Sequence, residues 1–395
     1  MITFNHRLSD DGTRFPSSRS PGNNLSGRET VSGPAIYLYA ADAHWVPPLR
    51  TSVAKQFGAS NPFFRHGRLQ RFIVVTADNQ AAGRVVAAVD DRLIKREGRP
   101  IGLFGFFECI DDPEVAKALL DAACDWLRQQ GMQSARGPID LSITNNCFFL
   151  VDGFDSPPCI RMPYNPPYYS KYAEQAGWHK AKDAYAYDLR PAELAEKFGK
   201  AYRIAEKAYS FACNSGVSFR SIRTTGGGFR LDCINLHQLF NDAFVDTWSL
   251  SPYSEEEFVE EVKNIKSIID PSIFWIAEYE RKMIGFFMAL PDYNIPLKYA
   301  KGKLTPVRIL QIMWYRRRID RGRVLAICVL PEHRSKMVAP ALIYLGAKGG
   351  FMDRKKPYRR AELSWIYEDN MPSRRLVEAS GAKIHKTYRV YEKCL

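Results

Sequence analysis

Two stretches of this chain, 202 residues apart, share one pattern of strand, turn and strand. The first, FIVVTADNQAAGRVVAAVD, begins at Phe72, and the second, FWIAEYERKMIGFFMALPD, begins at Phe274. In each stretch a glycine follows the Phe by eleven residues, which pairs Gly83 with Gly285. Runs of β-branched and aromatic residues flank a polar turn, so each stretch is predicted to form an antiparallel hairpin.

A second repeated pattern supports a tandem duplication. EQAGWHKAKDAYAYDL begins at Glu174 and EASGAKIHKTYRVYEK at Glu378, an offset of 204 residues. Two matches at nearly one offset favour duplication, with chance similarity between β-hairpins as the alternative. Each half then reads as helix, hairpin, strand, helix, strand, helix and a final pair of strands. This order predicts an α/β fold with a mixed sheet in each half.

The same patterns predict four segments. Residues 1–35 are polar and lack an apolar signal-peptide core, so they are expected to be a flexible leader. The first domain covers 36–190, a helical linker covers 191–213, and the second domain covers 214–395.

Composition narrows the class of protein further. The eight cysteines form no CxxC pair and no metal-ligand spacing with a His, so neither a zinc site nor a disulfide framework is expected. Reduced cysteines predict a cytoplasmic protein. No apolar run is long enough to span a bilayer, and no membrane partner is expected.

Positive charge is concentrated near the C-terminus. Residues 301–395 hold 22 Lys and Arg against 8 Asp and Glu, a net of +14 in a chain whose total is +13. Such an imbalance indicates an anionic partner: a phosphorylated donor, an acidic carrier protein or nucleic acid. A solvated basic surface is the alternative.

The stretch VLPEHRSKMVAPAL, Val329 to Leu342, lies between a strand-like run and an apolar helical run. A helix N-terminus after a polar loop can hold a phosphate through its backbone N–H groups, with a nearby Arg or Lys adding charge. Such loops usually carry a glycine, which accepts a positive φ. Here Met337 stands at that position, and we expect it to exclude this conformation.

These residues, with AELSWIYEDNMPSRRLVEASGA and YRVYEK, resemble the GNAT superfamily of N-acyltransferases. The family's [QR]-x-x-G-x-[GA] loop corresponds to residues 334–339, its helix-opening Asn to Asn370, and a later glycine to Gly381. The resemblance covers about 36–395 and also extends to uncharacterised bacterial tandem GNAT proteins. It implies two tandem GNAT-like domains with mixed, mostly antiparallel sheets flanked by helices.

The resemblance also implies a mechanism. An acyl-CoA donor, such as acetyl-CoA, enters a gap between two strands, and an amine attacks its thioester directly. The donor would be held by Val329, Arg334, Ser335, Lys336, Met337, Val338, Ala339 and Asn370. The acceptor is expected to be a small amine, and no metal is implied.

Three departures from the family pattern bear on this site. Met337 replaces the glycine of the loop. Pro340 predicts a helix that begins late, near Ala339, after a loop over 334–338. The family's frequent leaving-group Tyr corresponds to Val377, so Tyr391 or Tyr388 is the substitute donor of a proton, or both are strand aromatics.

The first half lacks the Arg and glycine of the loop. Asp111 and Asp112 follow its corresponding strand, and two carboxylates would repel a pyrophosphate. We expect this half to bind no CoA and to shape the acceptor pocket through its proline-rich loop, with a packed lid as the alternative. The candidates in this loop are Asn145, Asn146, Tyr164, Asn165, Tyr168 and Tyr169.

Candidates for the general base come from two strands. Glu362 and Ser364 alternate onto one face of AELSWIY, which suits Glu362 as the base and Ser364 as a substrate contact. Glu278 is the second candidate, and ion pairing is the structural alternative for both. Cys328 has the features of a core cysteine.

Two other functions are consistent with the sequence. Basic runs with aromatics, WYRRRIDRGR and DRKKPYRR, suit an aminoacyl-tRNA donor, as in the Fem-type transferases, or an acidic acyl-carrier protein. A non-catalytic pair of GNAT domains is the other possibility, supported by Met337 and Val377.

Overall fold

The computed structural model describes residues 38–39, 41–77 and 80–395, so the expected leader over 1–35 lies outside the described residues. The chain divides into two compact units. The first contains the residues up to Lys182, Leu297–Ile309 and Arg389–Leu395, and the second contains Asp183–Pro296 and Leu310–Tyr388. The last seven residues therefore belong to the first unit.

The first half of the chain forms α1 (Arg50–Gln56), β1 (Gly67–Val75), β2 (Ala81–Asp90), α2 (Asp91–Glu97), β3 (Ile101–Cys109), α3 (Pro113–Gln129), β4 (Ser134–Gly137), β5 (Phe149–Asp152), α4 (Tyr168–Gln175) and β6 (His179–Leu189). The second half forms α5 (Ala195–Asn214), β7 (Ser218–Ser221), α6 (Gly226–Ala243), α7 (Glu255–Ile265), β8 (Phe274–Tyr279), β9 (Lys282–Pro291), α8 (Asn294–Leu297), α9 (Pro306–Tyr315), β10 (Arg321–Val329), α10 (Val338–Ala347), β11 (Arg360–Tyr367), α11 (Met371–Ala379) and β12 (Lys383–Cys394).

In the first unit the strand order is β1-β2-β3-β4-β12, and β5 also pairs with β12. Here β3 and β4 run parallel; β1 with β2, β2 with β3, and β4 with β12 are antiparallel. In the second unit the order is β6-β11-β10-β9-β8-β7, and β10–β11 is its parallel pair. The predicted α/β fold with mixed, mostly antiparallel sheets is confirmed.

Both repeated patterns occupy equivalent places. The two hairpins are β1–β2 and β8–β9. A buried Asp follows or ends each hairpin, and its carboxylate accepts a hydrogen bond from the backbone N–H of the second residue after it. In the first hairpin Arg92 donates to Asp90, and in the second Asn294 donates to Asp292. At the other match, Gly177 and Gly381 both have a positive φ, a conformation that favours glycine. The two halves of the chain thus share the same local structure at both repeated patterns, as the predicted duplication requires.

Helices cover the sheets on different faces. In the first unit α3 and α4 pack on the strands around Phe104 and Trp178. In the second unit α5 and α10 pack on one face of β8–β10, around Val329 and Leu342, and α6 and α7 pack on the other. No helix among the described residues is both long and apolar enough to cross a bilayer.

Candidate active site

Two parallel strands separate in the second unit. β10 and β11 pair from Arg321 with Arg360 to Val324 with Leu363, and the pairing ends there. Residues 324–327 are half-buried although β10 is a central strand, whereas the two ends of β10 are fully buried. A gap in the sheet therefore begins at Val324.

The chain turns into the predicted phosphate loop at the end of β10. Pro331–Lys336 forms a short 3-10 helix, and α10 begins at Val338. The helix was expected to begin near Ala339, and it begins one residue earlier. The expectation of a loop over 334–338 is wrong, because most of these residues are helical. Among the described residues, no side chain caps the N-terminus of α10. The backbone N–H groups of its first turn, including those of Val338 and Ala339, are thus left for another acceptor.

Met337 adopts the conformation that glycine would favour. Its φ is 58° and its ψ is 30°, in the left-handed region, and its side chain is 48% exposed. The expectation that methionine would exclude a positive φ is wrong. Because so much of the side chain lies in solvent, the remaining penalty is about 1–2 kcal/mol of backbone strain.

The other loop residues differ in their contacts. Arg334 and Ser335 are exposed. Lys336 is already engaged: its Nζ donates to the carbonyl of Ser215 at 3.3 Å and lies 4.2 Å from the ring centroid of Tyr279. Arg334 is thus the cation of the loop with the greatest freedom to meet an anion.

Asn370 and Val329 hold the ends of this region. The Asn370 side chain accepts a hydrogen bond from the Ser373 N–H at 3.2 Å and caps α11. Val329 is buried against α10 and pairs with Gly285 of β9. Both residues place the backbone around the gap.

A buried polar network begins one pair before the pairing of β10 and β11 ends. The carboxylate of Glu362 accepts a hydrogen bond from the Ser364 hydroxyl at 2.8 Å and lies 3.1 Å from His385 Nε2. Arg323, the register partner of Glu362, donates from Nε to the Ser364 hydroxyl at 2.8 Å. Arg323, Glu362 and Ser364 are at most 4% exposed.

The network fixes the charge of Glu362. Burial raises the pKa of this carboxyl, but hydrogen bonding and charge from His385, then Arg323 and Ser364, outweigh burial and lower it to about 2. A carboxylate of such low basicity is a poor proton acceptor. It is well suited to orient His385 by accepting a hydrogen bond from Nε2–H. In a neutral imidazole that donates from Nε2, the lone pair is on Nδ1.

The other catalytic candidates lie elsewhere. Glu278 accepts from Arg220 Nε at 2.9 Å on β8, two strands from the gap. Tyr391 lies in the core of the first unit, and its hydroxyl donates to Glu174 at 2.8 Å. Cys328 is buried, which raises its thiol pKa to about 12. Tyr388 is fully buried in the second unit.

The corresponding gap of the first unit is filled by the chain itself. β3 and β4 pair only from Ile101 to Leu103, yet the Phe106 N–H donates to the carboxylate of Asp140 at 2.5 Å. Farther along, the Cys109 N–H donates to the Tyr169 hydroxyl at 2.9 Å. Asp112 caps α3 by accepting from Glu114 N–H at 2.8 Å. These backbone donors, which a donor arm or phosphate would need, therefore already have internal partners.

Residues of the proline-rich loop mostly brace this filled region. Asn165 is 4% exposed and bonds to Leu150 through both its oxygen and its nitrogen. Four more loop residues have internal partners: Asn145 with the Asp140 carbonyl, Asn146 with the Asp140 carboxylate, Tyr164 with Asp42, and Tyr168 with the Cys109 carbonyl. Asn145, Asn146 and Tyr168 thus lie at the filled gap, whereas Asn165 bonds to β5 and Tyr164 to the segment before α1.

Sequence reasoning missed His385 and Arg323. His385 lies 23 residues after Glu362 and meets it only because of the strand order. No local motif marks it. Arg323 could have been found, because an Arg inside the apolar run RVLAICVL requires a buried partner.

Comparisons with known proteins agree with this geometry. The model of the acetyltransferase (GNAT) family matches residues 234–382. Protein YghO of Escherichia coli (strain K12) is 31% identical over 90% of this chain and 90% of its own length. The bacterial ceramide synthase of Caulobacter vibrioides (strain NA1000 / CB15N) is 32% identical over 91% and 92%. A tandem GNAT protein from the clavulanic acid biosynthesis pathway, at 13% identity, shares the fold with a TM-score of 0.55 and covers 93% of this chain and 95% of its own.

Two GNAT-like units, one of them with an open gap beside a basic loop, define a tandem acyltransferase. The chain belongs to the GNAT acyltransferase family.

Proposed function

We propose that the protein forms an amide by moving an acyl group from acyl-CoA to the primary amine of a long-chain amino alcohol. The contrast between the two gaps supports the donor half of this proposal. In the first unit Asp140, Tyr169 and Asp112 engage the backbone groups that a donor would need. In the second, the strands part, no described side chain caps the helix N-terminus, and Arg334 is exposed.

The acceptor half rests on a relative. A ceramide is the amide of a fatty acid and a long-chain amino alcohol, and a protein of that synthase name is 32% identical over nearly the whole chain. This acceptor differs from the small amine expected from the sequence, which stays the alternative. Cytoplasmic location and the domain boundaries stay predictions.

The chain's own residues supply proton transfer. Glu362 accepts from His385 Nε2–H and holds the imidazole, so Nδ1 can take the proton of the amine as its nitrogen bonds to the acyl carbon. The C–S bond of the thioester then breaks, and the same proton can pass from the imidazolium to the CoA thiolate. Arg323 and Ser364 keep Glu362 ionised and in place. His385 therefore replaces Glu362 in the role of base, and Glu362 becomes its positioning residue.

The test mixes the purified protein with palmitoyl-CoA and sphinganine, follows release of the CoA thiol, and identifies the amide by mass spectrometry. N-acetylated sphinganine, which lacks the amine, is the control and should give no thiol release. Ethanolamine in place of sphinganine separates a lipid acceptor from a small one.

Two further arms test the donor. Charged tRNA or acyl-carrier protein as the sole productive donor would overturn the CoA assignment. Arg334→Ala should weaken binding of acyl-CoA by about tenfold, since it removes one charge-assisted phosphate contact. Arg128→Ala, an exposed arginine on α3, is the matched control and should bind normally.

A further inference from the structure

Helix α9 turns most of its apolar side chains outward, whereas the side that faces inward is mixed and includes an arginine. Its half-buried members are Arg308, Ile312 and Tyr315, spaced as one helical face. On that face the Arg308 guanidinium donates to the carbonyls of Tyr299 at 3.2 Å and Ala300 at 2.7 Å. A surface helix of a globular protein normally shows the reverse arrangement.

The outward face is almost entirely apolar. Its exposed side chains, with the segment just before the helix, are Leu304 (49%), Val307 (65%), Ile309 (43%), Leu310 (65%), Met313 (51%) and Trp314 (63%). Within 306–315, all of which the structure describes, no residue is buried. Contiguous apolar side chains exposed in this way mark an interaction surface.

Positive charge brackets this apolar face. Residues 301–318 contain six Lys and Arg and no Asp or Glu. Arg316, Arg317 and Arg318 follow the helix and are exposed. The ammonium of Lys356 donates to the Arg317 carbonyl, which places a second basic run, with exposed Lys355 and Arg359, beside the first.

We infer that α9 and these basic residues dock the protein on an anionic membrane surface. Aliphatic side chains and a tryptophan on one face, flanked by cations, are typical of helices that lie in the lipid interface. Basic residues next to such a face bind anionic headgroups. A ten-residue helix cannot span the bilayer, so it lies in the plane of the headgroups.

Other occupants fit less well. In a symmetric dimer through this face, basic residues would lie opposite basic residues in either orientation, because Lys301 and Lys303 are at one end of the face and Arg316–Arg318 at the other. Residues 1–37 carry four Arg against three acidic residues, so they offer no net negative charge to match these cations. The proposal departs from the sequence-based expectation of no membrane partner, which considered only spanning segments. It does not depend on the identity of the acceptor.

The test is co-sedimentation of the full chain with phosphatidylcholine vesicles, with and without about one third phosphatidylglycerol. We expect binding to the anionic vesicles about tenfold or more above binding to the neutral ones. Leu310→Asp should lower binding to anionic vesicles about tenfold, because it places a charge among the headgroups. Ile204→Asp on α5, where the side chain is 60% exposed, is the matched control and should bind normally.

A fluorescence measurement locates the contact. Brominated lipids should quench the wild-type emission more than that of Trp314→Phe. No binding, or binding indifferent to Leu310→Asp, would overturn the proposal. So would a wild-type dimer that Leu310→Asp converts to a monomer without any vesicle binding. Binding of RNA but not of vesicles would assign the basic residues to nucleic acid instead.

Discussion

At the scale of single residues, the proposed mechanism depends on the pair formed by Glu362 and His385. Glu362 is buried, hydrogen-bonded twice, and its pKa is lowered to about 2 despite its burial. His385 is its hydrogen-bond partner. In the proposed mechanism the histidine is the base, and the carboxylate determines which of its nitrogens is available.

His385→Ala is expected to lower kcat by roughly 10²–10⁴, the usual contribution of a general base. The KM for acyl-CoA should change little, because in the proposed mechanism the loop before α10 holds the donor and His385 does not. Exogenous imidazole should restore part of the rate by entering the space left by the ring. A purely structural histidine would show no such rescue. If His385→Ala kept the kcat of the wild type, the base would have to be another residue.

Asp140 gives a prediction for stability. Burial raises the pKa of this carboxyl to about 7, although the Phe106 N–H and then Arg84 act to lower it. Because its pKa is higher in the folded than in the unfolded protein, Asp140 stabilises the fold when it is protonated. This contribution to the free energy of unfolding is complete below about pH 4 and is lost as pH rises through about 7.

Between pH 5 and pH 8 the wild type should therefore lose roughly 2–3 kcal/mol that Asp140→Asn does not lose. Urea denaturation of both proteins at the two pH values measures this difference. The change in the free energy of unfolding between the two pH values is compared for the two proteins, so any effect of the substitution that does not depend on pH cancels. Parallel pH profiles would show that Asp140 is ionised in the folded protein throughout.

At the scale of elements, the start of α10 shows how a loop can keep its backbone path after losing its glycine. Met337 has a φ of 58°. The sequence predicted the helix and the position of Pro340 in its first turn, but not the short 3-10 helix that precedes it. It did not predict this conformation, because local preferences favour glycine there and the surrounding fold imposes the path.

Met337→Gly should raise the free energy of unfolding by about 1 kcal/mol, because glycine adopts a positive φ without strain. Met337→Ala is the control, since it removes the exposed side chain and keeps the strain. Chemical denaturation of the three proteins gives the comparison. Equal stability of the glycine and alanine variants would mean that the left-handed backbone at this position is not strained.

The hairpins and helices could be predicted because local residue patterns determine them. The β1–β2 and β8–β9 hairpins and the capped helix α3 are encoded by residues close together in the chain. The contact between His385 and Glu362, and the filling of the first gap by Asp140, depend on which strands become neighbours. Such pairing is not written in any local pattern.

At the scale of the whole molecule, the last strand, β12, completes the first unit with residues from the far end of the sequence. Arg389–Leu395 belongs to the first unit, where Tyr391 pairs with Gly137 and packs in the core. Glu392 forms ion pairs with Arg136, which is 1% exposed, and with Arg99. Removing these residues would expose the edge of β4 and leave the buried Arg136 with one carboxylate fewer.

Deletion of 389–395 should therefore destabilise the first unit by more than about 4 kcal/mol, through lost packing and a weakened buried ion pair. Hydrogen exchange measures the effect for each unit: amides of β3 and β4 should exchange much faster. β8 and β9, whose strand partners all lie in the second unit, are the internal control. Unchanged protection of β4 would show that the first unit is complete without the terminal strand.

The position of this strand also orders events during synthesis. A ribosome makes the first unit's helices and hairpin early, but it makes residues 389–395 of the same unit only after the whole second unit. The first unit thus cannot complete its sheet until these seven residues have been synthesised. A chain interrupted immediately before residue 389 would contain every residue of the second unit together with an unfinished first unit.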